Sequence, residues 1–289
     1  MTSKLESKKL AVETFVIPSL EEMLAAGIHF GHQKRRWHPR IAPYLYETKG
    51  KIHIFDLIKT RDLLTSAAQD LYEVAANGEP IIFVGTKRQA ANIVKTQATD
   101  CGAYFVNKRW LGGTITNFES VRQKLTRLKK IEEGLKEGGQ YSSYTKKEKL
   151  DLSREREKLE EGVGGLRNLN SLPKALFVVD IKREATAVSE ARKKGITVVG
   201  IVDSNCSPEL IDFPITGNDD SARSIEVILR AIAGAVKAGS DEFSKRREES
   251  TEKTSTPKVE IKERKVKKPA VKKAAHKRPG RPKTKKSGK

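Results

Sequence analysis

The residues best suited to chemistry lie in NKRWLGGTITN, residues 107–117. Lys108 and Arg109 stand directly before Trp110. Gly112 and Gly113 follow, and Thr114, Thr116 and Asn117 close the run. Arg and Lys supply charged donors suited to phosphate, while Thr and Asn supply neutral ones. Paired glycines let a backbone approach a ligand closely. The combination suits a nucleic-acid backbone better than a small-molecule pocket, although a Gly-Gly turn over one buried Trp fits the same residues. A second basic run, HQKRRWHPRIAPYLY at 32–46, places Lys34, Arg35, Arg36 and Arg40 around Trp37, and Pro39 and Pro43 exclude a regular helix. Cations interleaved with an aromatic suit a backbone-binding loop with a stacking platform. Trp37 fits a core plug equally well. Arg122, in the charged segment after Asn117, joins the basic residues expected to meet RNA.

No catalytic constellation stands beside these runs. Gly85-Thr86-Lys87-Arg88 follows a strand-like run, where a phosphate could sit. It lacks both the GxxxxGK[ST] and GxGxxG loops. A nucleotide-binding α/β enzyme using Thr86 and Lys87 is therefore the rival to a binding protein. His29 and His32 form an HxxH pair with no third ligand nearby in sequence, so no metal is expected and the pair reads as structural or RNA-adjacent. Asp219 and Asp220 precede a helix and are expected to cap it. No Ser or Cys occupies a nucleophile elbow. The expectation is a protein without catalysis, cofactor or small-molecule substrate.

Composition points the same way. The 289 residues carry a formal charge of +20, which favours a polyanionic partner. Residues 241–289 hold 19 Lys or Arg against 7 Asp or Glu, a net +12 that leaves +8 on the first 240. Cys101 and Cys206 have no ligand-like spacing and suit a reducing cytoplasm. No apolar run reaches the roughly 18 residues that span a bilayer. MTSKLESKKL lacks the apolar centre of a signal peptide.

The elements that must position the two basic runs follow from periodicity. Strands are expected at 51–57, 81–85, 103–106, 175–180 and 196–203. Helices are expected at 60–78, 86–102, 183–195 and 219–239. Ser19 and Glu22 offer a capping box for a further helix ending near Gly27. Five strands alternating with helices predict an α/β fold: a parallel five-stranded sheet flanked by helices, Rossmann-like or flavodoxin-like. An insertion follows Asn117. Phe118, Val121, Leu125, Leu128, Ile131 and Leu135 recur at threes and fours, and Leu152, Leu159, Val163 and Leu166 support a returning helix. With 12 basic and 10 acidic residues from Glu119 to Glu161, it reads as a solvated α-helical coiled-coil hairpin. The expected division is a flexible arm at 1–16, a discontinuous sheet domain at 17–117 and 167–240, the hairpin at 118–166, and a disordered Lys/Arg-rich tail at 241–289.

Six ordered segments carry a resemblance: LAAGIHFGHQKRRWHPRIAPYLY (24–46), IHIFDLIKT (52–60), IIFVGTKRQA (81–90), NKRWLGGTITNF (107–118), PKALFVVDIKREATAVSEARKKGI (173–196) and VGIVDSNCSPELIDFPITGNDDSARSI (199–225). Together, across about 17–237, the chain resembles the bacterial-type ribosomal protein S-two family, the second protein of the small ribosomal subunit. The resemblance implies an α/β domain with a protruding hairpin. It implies binding to small-subunit ribosomal RNA near the head–body junction, and contact with neighbouring ribosomal proteins including the large first protein of that subunit. Thr216 stands where the family usually has Pro. The basic tail is not a general family feature, and its KRPGRPK (277–283) comes close to the AT-hook core with Pro279 in place of an Arg.

Overall fold

A computed structural model describes residues 15–136 and 138–254. The expected arm over 1–14 and the tail beyond 254, with its KRPGRPK run, lie outside them.

The five-stranded parallel sheet is present. It comprises β4 (Ile81–Val84), β5 (Tyr104–Val106), β6 (Ala175–Val179), β7 (Thr197–Val202) and β8 (Phe213–Thr216), in the order β5-β4-β6-β7-β8. Ile81 pairs with Ala175, Ala175 with Thr197, and Val199 with Phe213. The central strands are buried along their whole length because helices cover both faces. Phe83, Phe177 and Ile201 point into one apolar cluster with α1 (Leu20–Ala25), α2 (Leu57–Ala76), α3 (Ala91–Asp100) and α7 (Ala222–Thr254). Their neighbours Ile82, Val84, Leu176 and Val178 point into the other, with α6 (Ala185–Lys193). The period of two assigns alternate residues to opposite layers.

One expected strand belongs elsewhere. Residues 52–55 form β3, which pairs antiparallel with β1 (Phe30–Gln33) and β2 (Leu45–Lys49) in a separate three-stranded sheet. Gly50 and Lys51 turn the β2–β3 hairpin with φ +57° and +70°, the left-handed pair a two-residue hairpin loop demands. The fifth parallel strand is instead β8, whose sequence FPIT carries Pro214. Proline is tolerated there because β8 is an edge strand, bonded to β7 alone.

After Asn117 the chain forms α4 (Phe118–Gly134) and α5 (Lys146–Val163), which pack on each other. Thr145 and Glu148 close a capping box on α5. The base of this hairpin is not separate from the body: Val121, Leu125, Val163 and Leu166 join the same apolar cluster as α6. Between the helices Arg127 grips Glu155 with two bonds at 2.8 and 2.7 Å, and Arg167, just after α5, reaches both Glu132 and Glu160. At the other end of the chain α7 runs on to Thr254, past the expected boundary at 240. Phe243 accounts for part of that extension. Its ring closes over Gly78, where an added Cβ would come within 2.4 Å of it.

Candidate nucleic-acid interface

The first basic run is tied to the carboxyl end of β7 through Ser204, which is fully buried. The His32 N–H donates to Ser204 Oγ at 2.7 Å, and the His38 N–H donates to the Ser204 carbonyl at 2.7 Å. Gly31 permits this approach, since a Cβ there would lie 2.8 Å from Ser204 Oγ. Between the two bonds Lys34, Arg35 and Arg36 make one 3-10 turn, all exposed. Trp37 is 36% exposed, with its ring 5.1 Å from that of His53. Arg40 is exposed and ion-paired with Glu209.

The second run is organised by a residue that sequence reasoning missed, Glu190 on α6, which is 6% exposed. Its Oε1 accepts hydrogen bonds from Trp110 Nε1–H at 3.2 Å and the Gly113 N–H at 2.8 Å. Its Oε2 accepts from the N–H groups of Ile115 and Thr116 at 3.0 and 3.1 Å, and from the Thr116 hydroxyl at 3.2 Å. Burial alone would raise this carboxyl's pKa, but the donors of Thr116, Gly113, Ile115 and Trp110 outweigh it and hold the pKa below its ordinary value. Gly113 sits at φ +90°, which lets the chain curl around the carboxylate. Trp110, 8% exposed, is a core residue. Thr114 is buried, and its hydroxyl donates to the Leu111 carbonyl at 2.6 Å. Lys108, Arg109, Thr116 and Asn117 face outward, and Asn117 leads directly into α4. Arg122 is exposed on α4, 3.7 Å from Glu119.

Ile41 and Phe55 behind the first run share one apolar cluster with Trp110 and Ile115 behind the second. Both runs are thus mounted on the same packed layer. Among the described residues Lys34, Arg35, Arg36, Lys108 and Arg109 form no ion pair, whereas the hairpin's Arg127 and Arg167 are engaged by glutamates.

The Thr86–Lys87 step lies at the carboxyl end of β4, where the strand order reverses. In open α/β sheets that crevice is the usual ligand position. Here it is filled by the protein's own acids. The Thr86 N–H and hydroxyl donate to Glu184 Oε1 at 3.1 and 2.5 Å. Lys87 Nζ lies 2.7 Å from Asp219 Oδ1, 2.6 Å from Asp220 Oδ1 and 3.5 Å from Asp180 Oδ2. Burial alone would lower the Lys87 pKa, but its bonds to Asp219 and Asp220 raise it. A phosphate would meet carboxylates here, and α3 begins only at Ala91, too late to aim its first N–H groups at this point.

Asp219 and Asp220 are not the helix caps the sequence suggests. Asn218 Oδ1 accepts from the N–H groups of Asp220 and Ser221 at 2.9 and 3.2 Å, and Ser221 Oγ accepts from the Ser224 N–H at 3.4 Å. The capping oxygens come from the flanking residues, which frees both aspartates to turn toward Lys87. His32 joins them. Its Nδ1 lies 3.0 Å from Asp203 Oδ2 and its Nε2 lies 3.4 Å from Asp220 Oδ2. The hydrogen bond to Asp203 is the main cause raising the His32 pKa. Burial, then the charges of Asp203 and Asp180, push the Asp219 carboxyl well above the usual range.

A family model described as Ribosomal protein S2 matches residues 23–239. Among curated relatives, the small ribosomal subunit protein uS2c of Rhodomonas salina is 46% identical over 237 residues, 82% of this chain and 97% of that protein. The small ribosomal subunit protein uS2 of Mesorhizobium japonicum is 48% identical over 221 residues, covering 76% and 84% of the two chains. That of Picosynechococcus is 44% identical over 223 residues, covering 77% and 87%.

Proposed function

The chain belongs to the ribosomal protein S2 family, and from that premise we propose that it is a structural constituent of the small ribosomal subunit that docks on ribosomal RNA through the two basic runs. The observation that carries this reading is the set of exposed cations without an ion pair, Lys34, Arg35, Arg36, Lys108 and Arg109, on a shared apolar layer. On the hairpin, by contrast, Arg127 and Arg167 are held by glutamates. In the two runs the charge is left available to a polyanion, at positions fixed by Ser204 and Glu190. Contacts of this kind fix position on the phosphate backbone and carry little sequence information. Arg40, Arg122, Thr116 and Asn117 extend the footprint, Trp37 offers an exposed ring for stacking, and the buried Thr114 shapes the loop from beneath.

In this reading the protein works by binding, in the cytoplasm on the ribosome. The site is placed near the head–body junction, with neighbouring ribosomal proteins, among them the large first protein of the subunit, as further contacts. The hairpin at 118–166 is a projecting arm whose base is shared with the sheet domain. Co-sedimentation with small subunits tests the proposal. An Arg35→Ala/Arg36→Ala/Arg109→Ala chain should keep its melting temperature but bind more weakly, with a salt slope reduced by roughly 2 if three phosphate contacts are lost. Undiminished co-sedimentation of the folded variant would remove the two runs from the interface.

A further inference from the structure

We propose that the groove between α6 and the Pro208–Leu210 turn is a docking site for an amphipathic helical segment of a neighbouring ribosomal protein, one whose apolar anchors are followed by carboxylates. The inference rests on the ribosomal reading, which gives the chain protein neighbours. The groove encloses about 490 Å³. Its floor is Ile181 and Val188, both buried, and its outer lip is Leu210, 47% exposed. Arg192 and Lys193, in the last turn of α6, line it as well, and both are exposed.

Two observations select the occupant. The first is the floor. Apolar side chains offer a phosphodiester no hydrogen bond while stripping water from its charge, so the sugar–phosphate backbone that suits the basic runs fits poorly here. An apolar partner gains by covering Ile181, Val188 and Leu210. The second is charge. Among the described residues neither Arg192 nor Lys193 forms an ion pair. Their place in the last turn suits the dipole of α6 and leaves both charged heads for acids on a partner. Apolar floor and cationic rim together call for a segment with one apolar face and carboxylates beside it. A helix laid in a groove has that form, with anchors at i, i+3 or i+4 and i+7.

The two walls of the groove are also supports of the basic runs. α6 carries Glu190, whose carboxylate organises the second run. Glu190 is buried, while its helix neighbours Ser189 and Arg192 are exposed. The Pro208–Leu210 turn carries Glu209, which is ion-paired with Arg40 of the first run. A segment seated between these walls spans the supports of both runs.

The experiment uses the full-length chain carrying Ser189→Cys, labelled with benzophenone maleimide. Cys101 and Cys206 are buried, which confines the label to the groove. The labelled chain is bound to small subunits, pelleted and illuminated, and its adducts are sequenced by mass spectrometry. The expected adduct is a ribosomal-protein segment with apolar residues within one helical turn of Asp or Glu. Its yield per bound chain should fall roughly fivefold or more when Leu210→Ser or Arg192→Glu is added. Both positions are exposed, so the melting temperature should stay unchanged. An adduct on ribosomal RNA, an adduct on a second copy of the chain, no adduct, or a yield indifferent to both changes would each overturn the proposal. Pelleting separates the two readings. A chain that pellets normally but fails the adduct test sinks the groove alone, whereas a chain that does not pellet removes the ribosomal reading and this inference with it.

Discussion

Two carboxylate centres of the molecule are solved in opposite ways. Glu190 is surrounded by neutral donors, three backbone N–H groups, an indole and a hydroxyl, and both of its oxygens are satisfied. The Asp203–Asp219–Asp220 group has other acids for neighbours, one ammonium and one imidazole, and keeps an oxygen without a partner among the described residues. A carboxylate bound by dipoles organises a loop by itself. A carboxylate held among like charges depends on the ammonium and the imidazole that face it. Glu190 is thus a finished structural clamp, whereas the aspartates form an ionic cluster with Lys87 and His32.

Breaking the clamp should give the largest effects. Glu190→Ala strands several inward-facing donors and should cost about 3–5 kcal/mol in urea unfolding, since each unsatisfied buried group costs roughly 1–3 kcal/mol. Trp110→Ala removes the indole on the clamp and its share of the core, and should cost about 3–5 kcal/mol in the same assay. A Trp110→Ala protein of normal stability that failed to bind subunits would instead make that ring an RNA contact.

Acid sharpens the contrast at smaller scale. Because the folded pKa of Glu190 is depressed, its contribution is fully present above the ordinary carboxylate range and is lost as pH falls through the folded value. Wild type should therefore lose more stability than Glu190→Gln as pH falls through the carboxylate range in denaturant melts, and parallel curves would contradict the assignment. At pH 7, Asp219→Asn should be neutral or stabilising by up to ~1 kcal/mol, because it relieves charge crowding. A clear destabilisation in that melt would mean the cluster is already balanced. Smallest of all, Arg109→Ala should change stability by less than about 0.5 kcal/mol and show itself only as weakened co-sedimentation.

Much of this was legible in the sequence. Strands buried on both faces read as IIFV and ALFVV, and the hairpin seam read from Val121, Leu125, Leu128 and Ile131. β8 escaped because FPIT is short and contains a proline that only an edge position tolerates. The exposed cations could be picked out by type. The residues that hold them could not, because Glu190 lies 77 positions from Gly113 and Ser204 lies 172 from His32. One signal for Glu190 was present: an acid between Ala187 and Ala191, on the buried stripe of α6. For the aspartates local sequence misled, because a pair before a helix resembles a cap, and only the neighbouring Asn218 and Ser221 show the caps already supplied.

The chain's two tryptophans occupy contrasting surroundings, one sealed in the core and one at the rim of the basic turn. They give the protein two built-in optical probes. The indole of Trp110, shielded from water, emits toward the blue and keeps that emission until the clamp opens. The indole of Trp37 emits toward the red and is reached by soluble quenchers such as iodide. On docking to RNA only Trp37 should lose quencher access. On unfolding, Trp110 should shift to the red. A single emission spectrum thus separates arrival at the ribosome from loss of the fold, without a label.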